Sequence, residues 1–319
     1  MKLKTYCRIL VISVMNKAIN TFYSGGVLMQ FPKDWKDYEL IDAGEGEKLE
    51  RWGKYILRRP DPQAIWPITG DGKRWEKVDA HYHRSKSGGG NWEFFTKMPE
   101  EWTIKYKDFT FQVHPTAFKH TGLFPEQAAN WDWIIEKIGE SQKKEKKTIK
   151  VLNLFAYTGG ATVAAAYAGA EVCHVDAAKG MVLRAKTNLE LSGLKDRTVR
   201  FIVDDVVKFT QREKRRERFY DAIIMDPPSY GRGPNGELWK LEDHLYDLIK
   251  LCSDILVKKP LFFIVNTYAT NISPIAVKNI LDIVIKDKFG GKTGAEEIGL
   301  PISSSRLILP CGAVGRWEA

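Results

Sequence analysis

Val151-Leu152-Asn153-Leu154-Phe155-Ala156-Tyr157-Thr158-Gly159-Gly160 joins an apolar run to a polar turn with paired glycines, and the small-residue segment Ala161 to Ala168 follows at once. This pattern is that of a buried strand, a tight loop and a helix. Paired glycines let the backbone come close to a bound molecule, and the N-terminus of a helix turns unpaired N–H groups toward it. Gly-rich strand-to-helix turns also serve packing alone in α/β proteins, so the rest of the chain has to decide between a ligand loop and a plain turn.

Downstream, strands and helices alternate. Strands are predicted at Val151 to Phe155, Glu171 to Val175, Arg200 to Val203, Tyr220 to Met225 and Pro260 to Asn266. Helices are predicted at Ala161 to Ala168, Lys179 to Ser192, Leu241 to Val257 and Ser273 to Phe289. That order gives a parallel sheet covered on both faces, with any ligand beyond the carboxyl ends of the strands. Glu296 to Ile302 and Leu307 to Val314, separated by Ser303-Ser304-Ser305, read as a hairpin added at the sheet's edge.

Upstream, the composition divides the 319 residues into an N-terminal extension (1–28), a small β-rich domain (29–117) and the α/β domain (118–319). Lys2, Lys4 and Arg8 before Ile9 to Val14 resemble a signal peptide, but no small-residue cleavage site follows and the run is too short to span a bilayer. The expected compartment is the cytoplasm, without membrane contact. In the β-rich part, strands are predicted at Tyr38 to Ala43, Tyr55 to Leu57, Trp75 to His81, Trp92 to Phe95, Trp102 to Tyr106 and Phe109 to Val113. Trp35, Trp52, Trp66, Trp75, Trp92 and Trp102 either pack this sheet or stack bases, and packing is the commoner use. A helix from Gln127 to Ile138 follows, and Lys143 to Lys150 reads as a solvated linker. A net charge of +9 points to a polyanionic partner. Cys7, Cys173, Cys252 and Cys311 show no metal or disulfide spacing, and His81 and His83 read as strand residues on one face.

The strand ends carry the chemistry. Asp176 is placed to accept from the hydroxyls of a ribose, or to cap the next helix. Asp204-Asp205 ends the third strand, where an acid either accepts from an adenine amino group or caps a turn. The fourth strand ends in Asp226-Pro227-Pro228-Ser229-Tyr230. Two prolines fix an extended backbone without donors, leaving carbonyls free to accept, between a carboxylate and an aromatic ring. That arrangement can hold and stack a planar, amino-bearing group.

With these motifs the chain resembles the class I S-adenosylmethionine-dependent methyltransferases. Asn153 to Gly160 is similar to their cofactor loop, Asp176 to the ribose-binding acid, Asp205 to the adenine-side acid, and Asp226-Pro227-Pro228 to the catalytic motif. Phe155 to Gly160, Asn188, and Lys119-His120-Thr121-Gly122-Leu123-Phe124 bring it closer to the bacterial large-subunit ribosomal RNA methyltransferases, which modify cytosine C5 or guanine N7. The resemblance implies a Rossmann-like sheet with a C-terminal antiparallel hairpin, S-adenosylmethionine as cofactor and ribosomal RNA as partner. Its implied cofactor contacts are Asn153, Phe155, Tyr157, Thr158, Gly159, Gly160, Asp176, Asp205, Thr121 and Phe124. Its implied catalytic residues are Asp226, Pro227 and Pro228, and Tyr230 is placed beside them to stack the base. Lys240 and Arg232 are candidates for phosphate contacts, as is the stretch Arg212 to Arg218, for which a solvated helix is the commoner reading.

Cytosine C5 methylation needs a cysteine thiolate, and the fourth and fifth strands end in Asp226-Pro227-Pro228-Ser229 and Asn266-Thr267-Tyr268, without one. The expected reaction is therefore direct transfer to a base nitrogen. The competing expectations are methylation of a small molecule or protein and a catalytically inactive RNA-binding relative. A nicotinamide-dependent dehydrogenase is disfavoured because the loop lacks GxGxxG.

Overall fold

The computed structural model describes residues 29–69, 72–85, 89–232, 238–268 and 272–319, with the Arg232 side chain outside that description. The predicted extension 1–28, with Cys7, lies outside the described residues.

Short strands dominate the N-terminal part. After β1 (Met29–Gln30), the strands β2 (Tyr38–Gly44), β3 (Glu47–Trp52), β4 (Tyr55–Pro60), β5 (Ala80–Arg84) and β6 (Gly90–Phe94) form one sheet in that order. A hairpin pairs β7 (Trp102–Tyr106) with β8 (Phe109–Val113). Strand β3 escaped the sequence reading because charges conceal it: Glu47 pairs with Arg58 and Glu50 with Arg59 across to β4. Trp75 corrects a second expectation. It lies in helix α1 (Lys73–Glu76), where its buried ring donates Nε1 to Asp42 at 3.0 Å, and the strand begins only at Ala80.

The tryptophans pack the sheet. Trp35, Trp66, Trp92 and Trp102 each donate Nε1 to a backbone carbonyl, and Trp52 is fully buried. His81 and His83 bond Glu47 and Glu93, and among the described residues no cluster of three or more such groups could hold a metal.

Helix α2 (Ala128–Glu145) then leads into the large sheet. It overruns its predicted end and takes in part of the lysine run, since Lys143 and Lys144 complement the negative end of the helix dipole. What read as linker up to Lys150 is thus helix, a left-handed stop at Lys146 and the first residue of a strand.

The large sheet contains β9 (Lys150–Leu154), β10 (Glu171–Asp176), β11 (Val199–Val203), β12 (Ala222–Met225), β15 (Phe262–Thr267), β16 (Lys292–Pro301) and β17 (Ile308–Glu318), while β13 (Tyr230–Arg232) and β14 (Leu238–Lys240) make a separate ribbon. The order is β1-β16-β17-β15-β12-β9-β10-β11, with β17 antiparallel to both neighbours and the five strands from β15 to β11 parallel. This is a Rossmann-like class I methyltransferase sheet with its C-terminal hairpin. The hairpin is longer than its apolar residues suggest, and Met29 and Gln30 extend its edge as β1 rather than joining the small sheet.

Helices α3 (Gly160–Tyr167), α4 (Lys179–Leu191), α5 (Val206–Arg215), α6 (Leu241–Ser253) and α7 (Pro274–Leu281) cover the faces. Successive residues of β9 show why: Val151 joins the core that Trp52, Phe111, Trp131 and Val163 share, while Leu152 joins Phe209, Ile249, Phe263 and Trp317 on the other side. Along α5 and beyond it, the basic stretch is engaged in ion pairs. Arg212 pairs with Asp204, Lys214 with Asp254 at 2.7 Å, and Arg216 and Arg218 lie within 3.8 Å of the buried Glu213. No helix of the described residues is long and apolar enough to cross a membrane.

Candidate active site

Strand order reverses between β9 and β12, which opens a crevice at the carboxyl ends of the strands. The loop leaving β9 fills one side of it. Phe155 and Tyr157 both adopt positive φ, 51° and 48°, a conformation that non-glycine residues hold only when neighbours enforce it. The enforcing bonds are visible. Asp176 Oδ2 accepts from Tyr157 N at 2.9 Å, Thr158 Oγ1 donates to the Gly122 carbonyl at 2.6 Å, and Asn188 Nδ2 donates to the Thr158 carbonyl at 2.8 Å. Asn188 Oδ1 in turn accepts from Gln112 N of β8 at 2.8 Å, so the loop is braced from the N-terminal hairpin.

Gly160 opens α3 against Trp131, where an added Cβ would stand 2.4 Å from Trp131 Cζ2. That ring is hemmed in by Phe111 and Tyr106, with centroids at 5.0 and 5.8 Å, and cannot yield. Gly160→Ala is expected to cost about 1–3 kcal/mol of stability. It is also expected to weaken cofactor binding about tenfold by displacing the loop, read by calorimetric titration; unchanged affinity would show that the close approach has no functional weight.

The crevice contains a pocket lined by Asn153, Phe155, Tyr157, Thr158, Gly159, Gly160, Phe124 and Asp226, together with Leu123, Gln127, Asn130, Trp131 and Asn266. Phe124 sits between Tyr157 and Tyr268, with ring centroids 5.3 and 5.5 Å away. Asp226 follows β12 directly, and burial, reinforced by the charge of Glu126, pushes its carboxyl up to about 8. A proton is therefore held there at neutral pH.

The remaining predicted residues lie outside that lining. Asp176 accepts from the Tyr157 and Ala178 amides, each at 2.9 Å, and Asp205 caps α5 by accepting from Lys208 N at 2.8 Å. Thr121 is buried, and its hydroxyl has no partner among the described residues. Pro227 is buried and Pro228 exposed, the latter's carbonyl accepting from Trp239 at 2.7 Å. Tyr230 and Lys240 face each other across the β13–β14 ribbon, where Tyr230 is 57 % exposed; Arg232 is described only by its backbone pairing with Leu238. The sequence reading did not single out Gln127 or Asn130, and gave Asn266 no role. Polar residues on otherwise apolar elements were their only signal.

A profile of S-adenosylmethionine-dependent methyltransferases matches residues 63–268. The chain belongs to this family. The methyltransferase is similar over 91 % of its length to the crystal structure of an S-adenosylmethionine-dependent methyltransferase from Agrobacterium tumefaciens, of which it covers 93 %, with 35 % identity and a TM-score of 0.85. Among curated relatives, the ribosomal RNA large subunit methyltransferase K/L of Syntrophotalea carbinolica is 30 % identical over 54 % of this chain and 23 % of its own length. The ribosomal RNA large subunit methyltransferase K of Neisseria meningitidis is 29 % identical over 58 % of this chain and 48 % of its own. The methyltransferase thus spans from about a quarter to a half of these relatives.

S-adenosylmethionine is the cofactor of the family, and the crevice fits it. Gly159 and Gly160 turn backbone toward the pocket, and both Asp176 oxygens keep a lone pair beyond the amide each already accepts.

Proposed function

We propose that this methyltransferase methylates an exocyclic or ring nitrogen of a nucleobase in ribosomal RNA, acting in the cytoplasm. The observation that carries the reading is Asp226 at the pocket wall, followed by a proline pair that brings no N–H donor. Asn153, Phe155, Tyr157, Thr158, Gly159, Gly160 and Asp176 would hold S-adenosylmethionine, with Thr121, Phe124 and Asp205 near the same loop or its flanking strands. The bound cofactor supplies an electrophilic methyl group. As the carboxylate, the form it takes as pH rises toward 8, Asp226 accepts with the Pro227 carbonyl from the target amine and turns its lone pair inward, and it then takes the departing N–H proton. Pro228 holds that turn extended, and Tyr230 meets the base at the rim while Lys240 and Arg232 contact flanking phosphates.

Two further features support nitrogen and RNA. The relatives named above carry ribosomal RNA in their names, and the chain's charge of +9 suits a polyanion. Cys311 on β17 donates its thiol proton to the Leu309 carbonyl at 3.5 Å, and burial with the charge of Glu126 pushes the thiol up, the opposite of what attack on cytosine C6 requires.

Transfer of labelled methyl to total RNA from cells lacking the protein, followed by nucleoside mass spectrometry, tests this. One new N-methylated nucleoside is expected. 5-Methylcytidine would overturn transfer to nitrogen, and no labelled RNA would overturn the RNA substrate.

A further inference from the structure

We propose that Arg316 sets the polarity of an amide relay, through Asn130 to Asn266, so that Asn266 presents an N–H donor to the target base beside Asp226. This rests on the nucleobase reading and narrows it to a base whose reactive amine adjoins an unprotonated ring nitrogen, as in cytosine, in adenine and on the N3 side of guanine.

A guanidinium has only donors. Arg316 directs Nε, at 3.2 Å, and Nη2 onto Asn130 Oδ1, and its guanidinium carbon lies over the Trp133 ring, 5.1 Å from the centroid. Asn130 must therefore face Arg316 with its oxygen. Its Nδ2 then donates to Gln127 Oε1 at 2.8 Å and to Asn266 Oδ1 at 2.9 Å. Turning any of these amides over would set donor against donor, so the orientation is fixed by chemistry rather than by choice. With its oxygen committed to Asn130, Asn266 has no partner for its Nδ2 protons among the described residues and lines the pocket. The Gln127 branch obeys the same logic, its Nε2 donating to the Tyr268 hydroxyl at 2.6 Å.

Strand register puts this donor beside the acid. β12 and β15 run parallel with Met225 opposite Val265, so Asp226, the residue after β12, comes level with Asn266 of β15, and both line the pocket. An amine held by Asp226 and the Pro227 carbonyl would place its adjoining ring nitrogen against the Asn266 donor. A base edge with N–H at that position would meet donor with donor and be rejected. Asn266 is thus a specificity-determining residue, and Asn130 and Arg316 are positioning residues.

The test uses the full chain and an RNA fragment carrying the target nucleotide in unmethylated form, made also with the deaza counterpart that lacks the ring acceptor, 3-deazacytidine, 1-deazaadenosine or 3-deazaguanosine. The native chain is expected to prefer the natural fragment by about 30-fold in kcat/KM. Asn266→Ala should act on both fragments at the same low rate while binding S-adenosylmethionine as the native chain does. Arg316→Met, which frees Asn130 to turn over, should show a preference between these extremes. If Asn266→Ala keeps the full preference, the relay is overturned while the methylation reading stands. If the native chain methylates a ring nitrogen, the nucleobase reading stands and this role for Asn266 is overturned; if it methylates no RNA, the nucleobase reading itself fails and this role for Asn266 fails with it.

Discussion

Asp226→Asn is expected to remove methyl transfer, by at least about 100-fold, and at the same time to make the cofactor-free protein more stable above neutral pH. The wild-type carboxyl titrates near 8 because burial and Glu126 disfavour its charge. An ordinary aspartate titrates near 4, so between pH ~4 and ~8 the native state keeps a proton that the unfolded chain has lost. Stability from this group is whole below about pH 4 and falls as pH rises toward 8, by up to about 1.4 kcal/mol per unit. Asparagine has no such slope. Calorimetric melting of both proteins from pH 5 to 8 should show midpoints that separate steadily in favour of the variant; parallel curves would mean that Asp226 is not buried as an acid. The same titration governs catalysis. An acid that must accept works as the carboxylate, so kcat/KM of the wild type should rise with pH, reach half its maximum near 8 and level off above it.

The largest loss of stability is expected from Arg59→Met. Arg59 Nε and Nη2 meet the two oxygens of Glu50 at 2.6 and 2.8 Å, the Tyr38 hydroxyl donates to the same carboxylate at 2.8 Å, and all three residues are buried. Burial alone would raise the Glu50 carboxyl, but Arg59, Lys48 and these hydrogen bonds hold it down at about 2. Removing the guanidinium strands a carboxylate in the core, a loss of about 3–5 kcal/mol in urea unfolding. Arg51→Met, which breaks the partly exposed pair with Glu39 at 3.2 Å, should cost less than about 1 kcal/mol. Equal losses for the two variants would refute the distinction. Arg59 Nη1 also donates to the Lys119 carbonyl at 2.8 Å, three residues before the Gly122 carbonyl that anchors Thr158. The damage should therefore reach the cofactor loop.

The parallel sheet was legible because strands buried on both faces read as unbroken apolar runs, and Val151 to Leu154 is such a run. Its glycine turn and the polar strand ends were legible for the complementary reason: polar groups at the ends of buried strands need a purpose. Strand β3 was not, since Glu47 and Glu50 look solvent-facing until Arg58 and Arg59 are set opposite them. Trp75 misled because its apolar ring satisfies a core from a single helical turn as well as from a strand. The amides of the pocket wall were the least legible part. Asn130 and Asn266 meet across 136 positions of sequence, and neither carries a local pattern that foretells the meeting.

The bracing of the cofactor loop by Asn188, bonded to the Thr158 carbonyl on one side and to Gln112 of β8 on the other, bears on how this protein can be taken apart. A fragment starting at residue 118 would contain every strand from β9 to β17 and still lack the amide that orients Asn188. Its methyl-donor loop would be complete in sequence yet unsupported in shape. The catalytic half is therefore no portable module: in any fusion or truncation it has to travel with the hairpin that precedes it.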